Sequence, residues 1–360
     1  MSQRWLRILA AIVAFAIVAY FGIVLFGTFN GTPDQNGVNR TGANSFALIL
    51  AIAAGVGFVV YALIEYLQTR RLDSIAHQFD TRTIVLMPLA IAINIVLGQT
   101  VGAALKIPIY LDSIGTILVG VLAGPIPGAL TGFLANIIWS YLIPPPFQSP
   151  SNAAAAFAIV AAVIGLLAGA VGRLGWMRPR PDRSVGELLL GGIVAVAVVG
   201  LMVFYAYTRF YGGGFAFFGD TSKIELVFFL LGWIVALIFV AALVGFLALL
   251  FLRRDLTVAY VVVAGVGTGI VAALISAPIA ANVFSGVTGA GTDFLVAAFR
   301  SAGSSIQQAT FQQGLLSDPV DKLVTFFTVY LILNAMARRT KARFPQGEQL
   351  LESGEPEALG

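Results

Sequence analysis

The residues able to do chemistry are few in this chain, and their positions carry most of the information. The stretch KIPIYLDSIGTILVGVLAGPIPGALTGFLANII, starting at Lys106, sets Tyr110 and Asp112 at the lip of an apolar run. Asn94 and Gln99 lie in the run before it, Asn136 and Trp139 in the one after. Asn152 opens the next run, and Asn282 closes a later one. A polar group in hydrocarbon costs several kcal/mol unless it is paired, so such residues face the protein interior. Each alone reads as a hydrogen bond between helices. Together, several lean toward one end of their runs, close to Tyr110 and Asp112, and so form a candidate binding surface. Asp112 has a second reading, since a carboxylate that starts a helix satisfies free N–H groups and suits the positive dipole end. The two roles are compatible.

A second polar element follows in SGVTGAGTDFLVAAFRSAGSSIQQATFQQGLLSDPVDK. Gly286, Gly289 and Gly291 form a hinge, after which Asp293, Arg300, Ser304, Gln308 and Gln312 recur at helical steps on one face. A helix adsorbed at the headgroups would carry a Lys- and Arg-rich stripe. Amides with one charge pair suit recognition of a polar ligand better, so the element reads as a lid or site wall.

Catalysis has little to work with. The single histidine, His77, sits among Arg and Asp and reads as a solvated surface residue, and the chain has no cysteine for a thiol, a disulfide or a metal site. No G-x-x-x-x-G-K-[ST], H-E-x-x-H or G-x-S-x-G occurs. The expectation is a binding protein and not an enzyme, with no cofactor and no nucleic-acid partner; active transport would draw energy from elsewhere.

The elements that position these residues are membrane helices. The chain is 59% hydrophobic and 11% charged, against about 25% charged in soluble domains. Many apolar runs approach or exceed the ~20 residues that span hydrocarbon. Lys and Arg concentrate in cytoplasmic loops, and here they cluster near Arg4, Arg70, Arg82, Arg178, Arg253 and Arg338. Placing every cluster inside predicts about ten spans, near 5–27, 44–67, 83–104, 109–124, 126–143, 153–173, 186–208, 224–252, 257–282 and 320–337. Both termini are then cytoplasmic in the cell membrane. The outer loops are 28–43, 105–111, 144–152, 209–223 and 283–319. The short pair at 109–143 could instead be a re-entrant hairpin buried in protein. The basic start leads into an apolar run too long for a signal core, so it reads as a retained helix. Gly120, Gly124, Gly128 and Gly132, with Gly165 and Gly169, have the spacing of close helix packing. The Pro125–Pro127 break makes Gly124 and Gly128 turn-forming.

With these residues in place, IPIYLDSIGTILVGVLAGPIPGALTGFLANII resembles the early part of the substrate-binding S component of energy-coupling factor (ECF) transporters. SAPIAANVFSGVTGAGTDFL and LLSDPVDKLVTFFTVYLIL are similar to the later part, where D-x-x-D-K introduces the last helix. The resemblance covers about 83–173 and 257–338. It implies an all-α polytopic fold with a six-helix core and two added helix pairs. Residues 1–82 would hold the N-terminal pair, 83–340 the core with a pair inserted at 186–252, and 341–360 a short polar tail. It further implies capture of a vitamin-like nutrient, with a transmembrane coupling subunit and cytosolic ATPases as partners. Tyr110, Asp112, Asn152, Asn282, Asp293, Arg300 and Gln308 then match the family's binding loops. The family's A-x-x-x-A docking stripe is interrupted, because Asn94 follows Ala90. The alternatives are a sensory or scaffold protein that binds ligand without transport, and a secondary transporter. The latter needs embedded carboxylates, whereas Asp and Glu here are expected at span ends and in loops.

Overall fold

Apolar runs in hydrocarbon fold as helices because each backbone N–H and C=O must find its partner within the segment. The computed structural model describes residues 3–29, 32, 39–105, 110–149, 152–181, 183–211, 226–252 and 254–351. Among them no strand occurs. In chain order the helices are α1 Gln3–Phe26, α2 Arg40–Thr69, α3 Asp73–Ala76, α4 Thr81–Leu97, α5 Ile114–Ala123, α6 Pro125–Tyr141 and α7 Ala153–Ala156. They continue with α8 Ala158–Arg173, α9 Val185–Tyr211, α10 Leu226–Leu252, α11 Thr257–Phe284, α12 Asp293–Ser301, α13 Ile306–Ala335 and α14 Arg338–Ala342. Lys106, most of the loop at 209–223 and the tail from 352 lie outside the described residues.

Among the described residues five segments are long and apolar enough to cross a membrane: Leu6–Phe26, Arg40–Thr69, Thr81–Ala104, Val185–Tyr205 and Thr257–Phe284. Only 6% of the apolar window in α1 is buried by protein, and Ile12, Ile17 and Val24 stand exposed. Side chains of that kind require a non-aqueous surround. The molecule is an all-α, multi-pass membrane protein.

Small residues set the packing. A methyl group on Gly165 would collide with the backbone of Gly128, and one on Gly120 would meet Ala168 and the Gly165 carbonyl. The α5, α6 and α8 backbones therefore cross in contact, which is internal packing of the bundle. Gly128 belongs to this crossing and not to the turn expected for it. Gly124, at φ +129°, makes the turn between α5 and α6 alone. Along α11, Gly265 and Gly269 receive the α13 backbone at Leu323 and Pro319 in the same way.

Two expected boundaries change. The helix of the last expected span, α13, begins at Ile306, ahead of the expected 320, and carries Pro319 in its interior. Its first half is polar, and Thr310, Gln313, Ser317 and Asp318 there are buried, so hydropathy alone hides it. The expected span at 109–124 contains a helix of only 10 residues, Ile114–Ala123. That is about 15 Å of rise, half of the ~30 Å hydrocarbon core. Before it the chain dips into the bundle as a loop, and the backbone N–H groups of Tyr110 and Leu111 end on Asp321, near the midpoint of the 30-residue α13. Asp112 is thus inside the bundle and not at its lip.

The basic end is closed by the chain after α13. Gln346 N–H donates to the Leu122 carbonyl (2.9 Å), and Arg82 Nη1 to the Arg343 carbonyl (3.3 Å). Leu350 is fully buried there.

Candidate functional site

At the opposite end of the bundle a cavity opens between α4, α6, α8, α11 and α13. About 120 Å³ of it is open to the centres of water-sized molecules, and its atom-free space, mouth included, is about 850 Å³. Trp139, Phe157, Val160, Ile164 and Ala272 make an apolar wall. Tyr110, Asp112, Asn136, Ser276, Asp318 and Lys322 supply its polar groups. An apolar pocket with a few convergent polar groups is the usual form of a small-molecule site.

Local structure explains how these groups meet. Residues Gly98–Ala104 continue α4 as a π-helix, a distortion often found at functional sites. Within it, a methyl group on Gly98 would touch the Trp139 ring at 2.9 Å and Asp112 Cβ at 3.1 Å. Glycine therefore lets both Trp139 and Asp112 close on the helix backbone at this point. Trp139 is held from behind by its indole N–H, which donates to the Phe147 carbonyl at 3.0 Å. Asp318 and Lys322 are four apart on α13, and Ala272 and Ser276 four apart on α11, so each pair presents one helical face.

A buried charge network forms the floor. Lys322 Nζ donates to Asp321 Oδ2 and to Ser113 Oγ (2.8 Å), and lies 3.8 Å from Asp112 Oδ1. Asp321 is fully buried, and its Oδ1 accepts from Tyr110 N (3.1 Å) and Leu111 N (2.7 Å). Leu111 holds φ +53° to make that turn. Asp318 accepts from Ser276 Oγ (3.1 Å) and Ser317 Oγ (3.3 Å). Gln313 in turn donates to Ser317 Oγ at 2.6 Å. A buried ion pair is tolerated only when its remaining lone pairs and protons find partners, and the backbone N–H groups and hydroxyls fill that need at Asp321 and Lys322.

Of the ten residues expected at a site, Tyr110, Asp112, Asn136 and Trp139 line the cavity. Asn94 is buried behind it: its Oδ1 accepts from Gly115 N and its Nδ2 donates to Thr116 Oγ1, both at 2.8 Å. It thereby supplies from α4 the cap that α5 lacks, since the Ser113 side chain makes no cap bond. Asp293 accepts from Thr288 N, Thr288 Oγ1 (2.7 Å) and Gly289 N (2.7 Å), folding the loop whose Thr288 and Ala290 border the cavity. Tyr110 reaches the same loop through its hydroxyl, 2.6 Å from Thr292 Oγ1.

The other four have local roles. Asn152 takes a left-handed turn and accepts from Gln148 Nε2 at 3.2 Å. Asn282 is exposed and donates to the Pro278 carbonyl one turn back. Arg300 is exposed and donates to the Ser304 carbonyl at 3.3 Å, while Gln308 closes the capping box of α13 with Ser305. Asp293, Arg300, Ser304 and Gln308 do not share one helical face, because Gly303 at φ +92° separates α12 from α13.

Asp318, Asp321, Lys322, Ser276 and Ser113 were not expected here. The available signal was D-x-x-D-K itself, with Gln313, Ser317 and Asp321 at steps of four along one stripe. Comparison with protein families, with curated proteins and with solved structures finds no match.

Proposed function

We propose that the protein is a membrane-embedded capture subunit for a vitamin-like small nutrient, resembling the S component of ECF transporters. The observation that carries this reading is the cavity, walled by Trp139, Phe157 and Ile164 and floored by Asp112, Asp318 and Lys322. It accepts a molecule with an apolar body and a polar head from the end of the bundle opposite the basic clusters. By the charge rule that end faces outward, and both termini lie in the cytoplasm. In this reading nine long helices and the half-length α5 cross or enter the membrane. The six-helix core is α4, α5, α6, α8, α11 and α13, and α1–α2 and α9–α10 are additions. A transmembrane coupling subunit and two cytosolic ATPases supply the energy, in keeping with a sequence free of any phosphate-binding loop.

One observation favours a second reading. Asp318, Asp321 and Lys322 are buried in the middle of α13, where a self-sufficient secondary transporter keeps its coupling carboxylates. Purification from native membranes in mild detergent, followed by reconstitution, separates the readings. The capture subunit co-purifies with a coupling subunit and ATPases, and uptake requires ATP. Uptake by the protein alone under an imposed ion gradient would establish the secondary transporter. Ligand binding with neither partner nor uptake would leave a sensory or scaffold role.

A further inference from the structure

We infer that the solute taken by this cavity carries a positively charged nitrogen, an organic amine or related cation with an apolar or aromatic body. The inference rests on the binding reading above and names the ligand class of that same site. Its basis is which polar atoms remain free to meet a guest.

Lys322 is committed. Its ammonium is held by Asp321 and Ser113 and faces Asp112, so it offers little to an incoming anion. Asp321 is committed too, with one oxygen on two backbone N–H groups and the other on Lys322. Two cavity-lining carboxylates remain. Asp112 has its cation 3.8 Å away, already neutralised by Asp321, and its side chain keeps 25% of its surface open. Among the described residues Asp318 accepts hydrogen bonds from the hydroxyls of Ser276 and Ser317 and forms no ion pair within 4 Å. Beside them Asn136, 7% exposed, has no hydrogen-bond partner among the described residues and lines the cavity with its amide.

The described floor therefore holds three carboxylates against one ammonium. A buried carboxylate without a charged partner is costly, and a cationic guest removes that cost through charge-assisted hydrogen bonds. The walls fit the same class. Trp139 and Phe157 line it with aromatic rings, Phe157 stacked on Phe284 at 5.5 Å, and such rings can stack on a guest ring or attract a cation. An anionic head would meet Asp112 and Asp318, and among the described lining residues the one cation, Lys322, is already engaged.

The test uses the full-length protein in mild detergent. Small-molecule extract of the source cells is desalted and separated by ion exchange at neutral pH into cationic, neutral and anionic pools. Thermal unfolding is followed with each pool in turn. The cationic pool should raise the midpoint, because a ligand that binds only the folded state stabilises it. Asp318→Asn and Asp112→Asn should each cut the apparent affinity of that pool by about tenfold or more. Stabilisation by the neutral or anionic pool alone would overturn the cation assignment and leave the binding reading intact. So would stabilisation by sodium or potassium chloride in place of the pool. A cationic effect unchanged in both Asn variants would place the guest elsewhere. If no pool stabilises, or if Ala272→Phe, which fills the cavity, leaves every effect unchanged, the binding reading itself fails.

Discussion

Replacing Lys322 with methionine removes the ammonium from the floor of the cavity while keeping its apolar stem. In the native protein Lys322 is 4% exposed, and Asp321 beside it is fully buried. The variant leaves Asp321 Oδ2 without its donor, leaves Asp112 without its nearest positive charge, and takes a donor from Ser113 Oγ. Breaking a buried pair from one side costs about 3–5 kcal/mol, because the remaining charge stays desolvated. The loss should be read as the shift in equilibrium unfolding in mixed detergent micelles, and as a lower thermal midpoint. The partner variant Asp321→Asn keeps an oxygen that can still accept from Tyr110 N and Leu111 N, and it removes the orphaned charge. The double variant Asp321→Asn/Lys322→Met should therefore recover about half or more of the loss, a strongly non-additive cycle. If Lys322→Met costs less than about 1 kcal/mol, or if the two changes add, the pair is solvated in the native protein.

Two further outcomes test the scaffold around the site. A methyl group at Gly115 would strike the backbone carbonyl of Ala90, so Gly115→Val should destabilise the α4–α5 packing by about 1–3 kcal/mol; normal thermal stability of that variant would mean the two helices are free to separate. Asp293→Ala strips Thr288 N, Thr288 Oγ1 and Gly289 N of their acceptor. It should open the 286–292 loop to limited proteolysis and weaken solute binding with little change in global unfolding, and unaltered proteolysis would remove Asp293 from the loop's support.

Much of the fold is legible in the sequence, and the reasons for the gaps are physical. Long apolar runs such as those of α1, α2 and α11 locate themselves, because hydrocarbon admits only helices there. Basic clusters locate the ends. Tyr110, Asp112, Asn136 and Trp139 stand out because a polar group amid oil needs a reason. The first half of α13 fails to stand out for the converse reason. Its Gln313, Ser317, Asp318, Asp321 and Lys322 look like a loop by composition, and Pro319 reinforces that impression, although these residues are buried by partners distant in sequence. Pairing such as Asp321 with the Tyr110 and Leu111 amides, across 211 and 210 positions, leaves no local trace. Arg300 and Gln308 fail differently: helical spacing counts them onto one face, and one residue of positive φ at Gly303 breaks the phase.

The half-length α5 and the charged floor have a common origin. A chain that stops being helical in the bundle interior exposes N–H groups that need acceptors, and at Tyr110 and Leu111 the acceptor is a single carboxylate oxygen of Asp321. Lys322 then neutralises the carboxylate that the loop requires. This divides the three aspartates by duty: Asp321 holds the loop, while Asp112 and Asp318 face the cavity. The division predicts opposite signatures. Asp321→Ala, which abolishes the acceptor, should lower thermal stability and expression together. Asp112→Asn and Asp318→Asn, which keep shape and lose charge, should leave the unfolding midpoint of the ligand-free protein within a few degrees of the native value, since each loses no bond to the backbone of another segment. Their deficit should appear only when the stabilising small-molecule pool is added. Loss of stability in the Asp112 and Asp318 variants equal to that of Asp321→Ala would mean that all three carboxylates serve the fold, and the cavity would lose its claim to a dedicated pair.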